Sequence, residues 1–112
     1  MNKINITYLV STLGRSGPTN QLYNLISFLD PLVFTPSIVT LSSEPKDTRW
    51  VDFENLNITL GSLDLGRVSS LVYGKHQLSR LFGKFQTDIL HSHGFRADYV
   101  NSIVDSLPAR VV

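Results

Sequence analysis

The chain has no cysteine, which removes disulfides and thiolate metal centres from consideration. Net charge is nearly absent: 10 Lys and Arg against 9 Asp and Glu leave +1, too little to draw in nucleic acid through a general field. Long apolar runs are missing too, since no segment approaches the roughly 20 residues needed to span a bilayer. Met1 to Val10 alternates polar and apolar residues and has no cleavage site after it, unlike a secretory leader. A cytoplasmic location is the default expectation.

What is present suits a folded domain. A hydrophobic content of 42% with only 17% charged residues disfavours disorder, and 112 residues fit one small domain or part of a larger one. Ile4, Ile6, Tyr8 and Val10, interleaved with Asn5, Thr7 and Leu9, predict a strand buried on both faces near its C-terminal tip. Two glycines and Pro18 interrupt the pattern. Leu22, Leu25, Ile26 and Leu29 then recur at the spacing of one helical face, with Pro18 in the first turn and Asp30-Pro31 as the stop.

Ser37 to Leu41 predicts a second strand, followed by a polar loop over Ser42 to Thr48. Trp50 to Asn55 fits a short helix, and Asn57 to Leu60 a weak third strand at a sheet edge. Leu71, Leu78, Leu81, Phe82 and Phe85 mark a longer amphipathic helix between Val68 and Gln86, whose continuity Gly74 and Gly83 weaken. Its Lys75, His76, Arg80 and Lys84 form a solvated face or a membrane-surface contact. Thr87 to Ser92 predicts another strand, with Asp88 fixing the local backbone. A helix from Phe95 to about Ser106 follows, then Pro108 and a last apolar piece, Ala109 to Val112. Trp50 and the phenylalanines read as core.

Strands alternating with helices predict an α/β fold, a Rossmann-like parallel sheet flanked by helices. Ligands of such sheets bind beyond the carboxyl ends of the strands. The two unusual loops, Ser11–Asn20 and His91–Arg96, each follow a strand and precede a helix, so both belong on that edge. Arg110-Val111-Val112 looks like a strand cut off before anything covers it, so the chain is expected to be part of something longer, with apolar surface exposed there and along Leu90.

The first loop can be read two ways. A helix start behind glycine offers free N–H groups and a positive dipole end to an anion, with Arg15 adding charge and Ser16, Thr19 and Asn20 adding donors. Equally, it is a tight turn whose polar residues only cap the helix. It is not a P-loop, because no Lys-Ser or Lys-Thr follows Gly17. Nor is Gly14-x-x-Gly17 a dinucleotide fingerprint, which argues against an oxidoreductase or epimerase using such a cofactor.

The second loop contains His91-Ser92-His93-Gly94. Residues two apart on a strand share a face, so the two imidazoles could hold a metal together, but no third ligand supports one. His91 reads better as a core or supporting residue. His93, at the strand tip beside Gly94, is either a packed residue or a donor to a ligand hydroxyl or phosphate.

Asp88-Ile89-Leu90-His91-Ser92-His93-Gly94 is similar to the Asp-apolar-apolar-His-x-His segment of the family 4 retaining glycosyltransferases of the GT-B fold. Ser16 to Leu25 resembles a variant of that family's first loop and helix found among polysaccharide-assembling members. The resemblance implies an incomplete N-terminal, acceptor-side domain, with the C-terminal donor-binding domain and its paired-glutamate motif absent from this chain. It implies a nucleotide-sugar donor, a glycan or lipid-linked acceptor in cell-envelope polysaccharide synthesis, a place in the cytoplasm or at the inner face of the membrane, and no cofactor or metal. Transfer would proceed by front-face displacement with retention. Residue by residue, it puts Gly17 near the donor diphosphate, Asn20 towards acceptor or sugar, and His93 at the transfer site as the catalytic residue. Arg15, Ser16, Thr19, Gly94 and Arg96 complete the expected substrate-binding set. Pro18 stands where many members have a second glycine, removing one N–H from the loop. The isolated chain is expected to be inactive. The alternative from another class is a stand-alone anion- or sugar-binding module.

Overall fold

The first strand, β1 (Ile4–Val10), is buried from Ile6 to Val10, side chains of both faces included, as suits a central strand. The computed structural model describes residues 3–82, 87–103 and 110–111. Along them β1 is followed by α1 (Gly17–Phe28), β2 (Phe34–Thr40), α2 (Trp50–Glu54), β3 (Thr59–Ser62), α3 (Arg67–Phe82), β4 (Ile89–Ser92), α4 (Phe95–Ile103) and β5 (Arg110–Val111). The strands form one sheet in the order β3-β2-β1-β4-β5, and every pairing is parallel. This is a Rossmann-like α/β domain.

Alternation along β1 sorts the core into two layers. Ile6, Tyr8 and Val10 meet Leu22 and Ile26 of α1 and Phe53 of α2 on one face. Leu9 points the other way, to Val39, Leu41, Leu78, Leu90, Ala97 and Val100. Thr7, on the same side as Leu9, is fully buried and reaches the hydroxyls of Ser37 (3.0 Å) and Thr87 (2.8 Å). Asp88 holds the backbone of β1 and not its own local backbone, its Oδ2 accepting from the Asn5 N–H at 2.8 Å.

Several boundaries differ from the sequence reading for identifiable reasons. β2 begins at Phe34 and includes Pro36, because pairing with β3 starts only at Ser37; Pro36 sits where the strand has β1 alone as a neighbour. β3 starts at Thr59, not Asn57, since Asn57 takes a left-handed conformation (φ 59°) that closes the turn after α2. It does lie at the sheet edge. On α1, Leu25 is 41% exposed; the buried stripe runs through Thr19, Leu22 and Ile26. The phenylalanines divide: Phe53 is fully buried, whereas Phe28 and Phe95 are 88% and 81% exposed.

Gly74 does not interrupt α3. A Cβ there would lie 2.9 Å from Val100 Cγ2, so the glycine is what lets α3 and α4 approach each other. The expected continuation of α3 through Gly83, Lys84 and Phe85 to Gln86 lies outside the described residues. So do the stretch of α4 towards Ser106, the break at Pro108, and Ala109 and Val112. Arg110 and Val111 pair with Leu90 and His91 as β5.

Candidate functional site

Strand order reverses next to β1: β2 and β3 build out on one side, and β4 and β5 on the other. The loops leaving β1 and β4 therefore diverge to opposite faces and leave a crevice between them, the place where open α/β sheets bind ligands. A cleft of about 650 Å³ occupies it. The β1–α1 loop supplies Ser11 to Ser16, α1 supplies Pro18 and Thr19, and β4 with its following turn supplies His91 to Gly94. Asp98 closes it from α4.

Of the residues expected at the site, Arg15, Ser16, Thr19, His93 and Gly94 line this cleft. Gly17 and Asn20 do not. Gly17 is exposed at the start of α1, and Asn20 faces outward, its Oδ1 accepting from Arg49 Nη1 at 2.8 Å. Arg96 sits elsewhere, donating to Ser42 Oγ at 2.9 Å beside a smaller hollow formed with Asp64 and Gly66.

The start of α1 is heavily self-satisfied. Ser16 is its N-cap: the Oγ accepts from the Thr19 N–H at 3.3 Å, and the Ser16 carbonyl accepts from Asn20 N–H at 3.0 Å. Thr19 Oγ1 in turn donates to the Gly14 carbonyl at 2.6 Å. Pro18 has no N–H to offer. Arg15 is paired with Asp47 at 3.0 Å, with both side chains well exposed. Both readings of the loop thus meet here, and capping takes most of the donors that an anion would use.

The histidines behave differently. His91 and His93 extend from the same face of β4, their ring centroids 4.5 Å apart, and both rings lie near Tyr8. Burial, and then the neighbouring His93, hold His91 below the ordinary histidine pKa, while Asp98 pulls the other way. His93 is anchored by its N–H to the Leu9 carbonyl at 3.0 Å, which carries the sheet pairing one residue past the strand. Its Nε2 is buried and has no hydrogen-bond partner among the described residues. Among those residues no cluster of three or more metal-ligating side chains forms.

Asp98 and Ser92 are cleft residues that motif reading did not single out. Ser92 Oγ donates to Asp98 Oδ1 at 2.7 Å, and Asn101 Nδ2 donates to Ser92 Oγ at 3.0 Å, fixing the carboxylate at the cleft wall. An acid in the first turn of a helix usually signals only a favourable dipole, so Asp98 carried no distinctive mark. Glu44 was hidden in a polar loop and reaches the β1–α1 loop only through the fold.

No protein-family model, curated protein or solved structure matches this chain in comparisons with each.

Proposed function

We propose that this chain forms the acceptor-side wall of a sugar-transfer site. In that site a sugar moves from a nucleotide-sugar to a glycan or lipid-linked acceptor, with retention of anomeric configuration, in cell-envelope polysaccharide synthesis. The observation that carries the reading is the unpartnered, buried His93 Nε2 in the wall of the switch-point cleft. A buried polar atom without a partner is costly, about 1–3 kcal/mol, and a bound hydroxyl or phosphate oxygen would relieve it.

The rest of the lining suits a polyhydroxylated ligand. Ser11 and Thr12 offer hydroxyls and Asp98 a carboxylate around an otherwise apolar floor. His93, in this reading, contacts the transferred sugar. Gly17 and Asn20 stand on the exposed rim, where a donor-binding domain would approach. When the anomeric C–O bond breaks, the electron pair goes to the nucleotide diphosphate, the acceptor oxygen bonds the anomeric carbon from the same face, and the acceptor's proton passes to the leaving phosphate oxygen. These residues contribute positioning and stabilisation of that charge. The paired-glutamate donor motif is not among the 112 residues, so the chain by itself is expected to transfer nothing.

Two measurements test the reading. NMR titration of the labelled chain with short oligosaccharides and nucleotide-sugars should shift signals around His93 and Thr19. His93→Ala should weaken that binding about tenfold, the worth of a lost hydrogen bond in a desolvated cleft, without lowering the melting temperature. Sugar binding that ignores His93→Ala would sink the assignment. Turnover of a radiolabelled nucleotide-sugar by the chain alone would sink the claim of inactivity. Sugar binding with no transfer, even beside a donor domain, would favour a non-catalytic sugar-binding module.

A further inference from the structure

The β1–α1 loop already holds an anion of its own. Glu44, from the segment between β2 and α2, accepts the Leu13 N–H at 2.9 Å through Oε1 and 3.1 Å through Oε2. Thr48 Oγ1 donates to the same carboxylate at 2.5 Å. The whole segment is clasped to the loop. Arg15 N–H donates to the Asp47 carbonyl at 3.0 Å, Arg49 N–H to the Leu13 carbonyl at 2.9 Å, and Gly14 and Thr48 form an antiparallel bridge. Packing is close as well: a Cβ on Gly14 would meet Pro45 Cγ at 3.2 Å.

In open parallel α/β sheets, the N–H groups of the loop after the first strand are the usual cradle for a phosphate. Here four of them are already taken. Leu13 is held by Glu44, Gly14 N–H by Thr12 Oγ1 at 3.2 Å, Arg15 by Asp47, and Thr19 by Ser16. A phosphate arriving at Leu13 would have to displace a carboxylate and then sit beside it. Two anions at that spacing repel, the more so where the loop is partly buried.

We propose that Glu44 is a specificity residue: its carboxylate occupies the Leu13 N–H and sets a negative charge against that part of the β1–α1 loop, which disfavours phosphate there and favours an uncharged, hydroxyl-bearing ligand in the adjoining cleft. Identifying that ligand as a sugar rests on the proposed function, whereas the bias against phosphate rests on the loop alone. Phosphates of a nucleotide-sugar are then favoured at the outer rim at Gly17, away from Glu44.

The test is a titration of the ¹⁵N-labelled chain with inorganic phosphate at constant pH and ionic strength, read at single amides. In the wild type, the Leu13 and Gly14 signals should stay in place, whether or not Gly17 moves. Glu44→Ala frees the Leu13 N–H and removes the charge; its Leu13 signal should shift with phosphate, with affinity about tenfold above the wild type. Glu44→Gln, which keeps the hydrogen-bonding shape but not the charge, should fall between them. A wild-type Leu13 signal that moves with phosphate overturns the proposal, as does a folded Glu44→Ala chain that gains nothing. If Glu44→Ala does not fold, the wild-type titration alone decides. Failure of oligosaccharides to bind the wild type would count against the sugar reading and leave the role of Glu44 against phosphate standing.

Discussion

Gly94 turns the chain from β4 into α4 at φ +97°, with open space where a Cβ would be. The demand there is conformational and not steric. Gly94→Ala should therefore cost about 1–2 kcal/mol, measured by urea unfolding, without any packing defect. Gly17 is the opposite case. It has neither a positive φ nor a close neighbour, so Gly17→Ala should leave stability unchanged or slightly raised. A loss of ligand affinity in Gly17→Ala at unchanged stability would then report on binding alone.

His91 gives a pH signature at the same scale. Its folded-state pKa is depressed by burial and by His93, against the opposing pull of Asp98. The unfolded chain therefore binds the proton more readily than the folded one. The corresponding stability is present above the unfolded value of about 6.5 and is lost as pH falls below it. Unfolding free energies measured down from pH 7 should show this slope, and His91→Asn should flatten it. An unchanged slope in His91→Asn would assign the loss to another group facing the cleft.

Among the elements, α3 and α4 meet through Gly74. Gly74→Ala would gain about 1 kcal/mol of helix propensity, but its methyl would lie 2.9 Å from the buried, stiff Val100 side chain. Overpacking typically costs about 1–3 kcal/mol, so a net loss and a lower melting temperature are expected. Gly74→Ala combined with Val100→Ala should recover part of that loss, which a double-mutant cycle would show. At the start of α1, Ser16→Ala removes a cap bonded to Thr19 and should cost about 1 kcal/mol.

These cases mark what could be seen in the sequence. Strongly patterned elements were legible: the alternation of β1, the Leu22 and Ile26 stripe of α1, and the placement of both loops on one sheet edge. The role of Gly74 was not, because propensity records a glycine's local cost and nothing of a helix packed across it. Pro36 hid the first half of β2, since a proline in a strand is acceptable only where neighbours are missing, and neighbours are a property of the sheet. Of the candidate cleft, the lining by His93 and Gly94 was legible. Glu44 and Asp98 escaped because their partners, Leu13 and Ser92, become partners only through folding.

At the scale of the whole molecule, two core layers share one sheet. Leu22 belongs to the layer under α1, and Leu78 to the layer under α3 and α4. Leu22→Ala and Leu78→Ala should each cost about 2–5 kcal/mol, as buried leucines do. Both variants should still unfold in a single transition, because β1 ties the layers together. Two separated transitions in either variant would mean that the layers melt independently.

The position of β1 also sets a timetable. It can pair with β2 once some forty residues exist, but its other neighbour, β4, lies more than eighty residues downstream, as the bond between Asn5 and Asp88 records. At synthesis rates of about 5–20 residues per second, that is a wait of several seconds with one side of the strand unmatched. Contacts this distant in sequence close slowly, after the local ones. The cleft between β1 and β4 is thus the youngest part of the molecule each time the chain is made, and the nascent protein spends its first seconds with no place for a ligand.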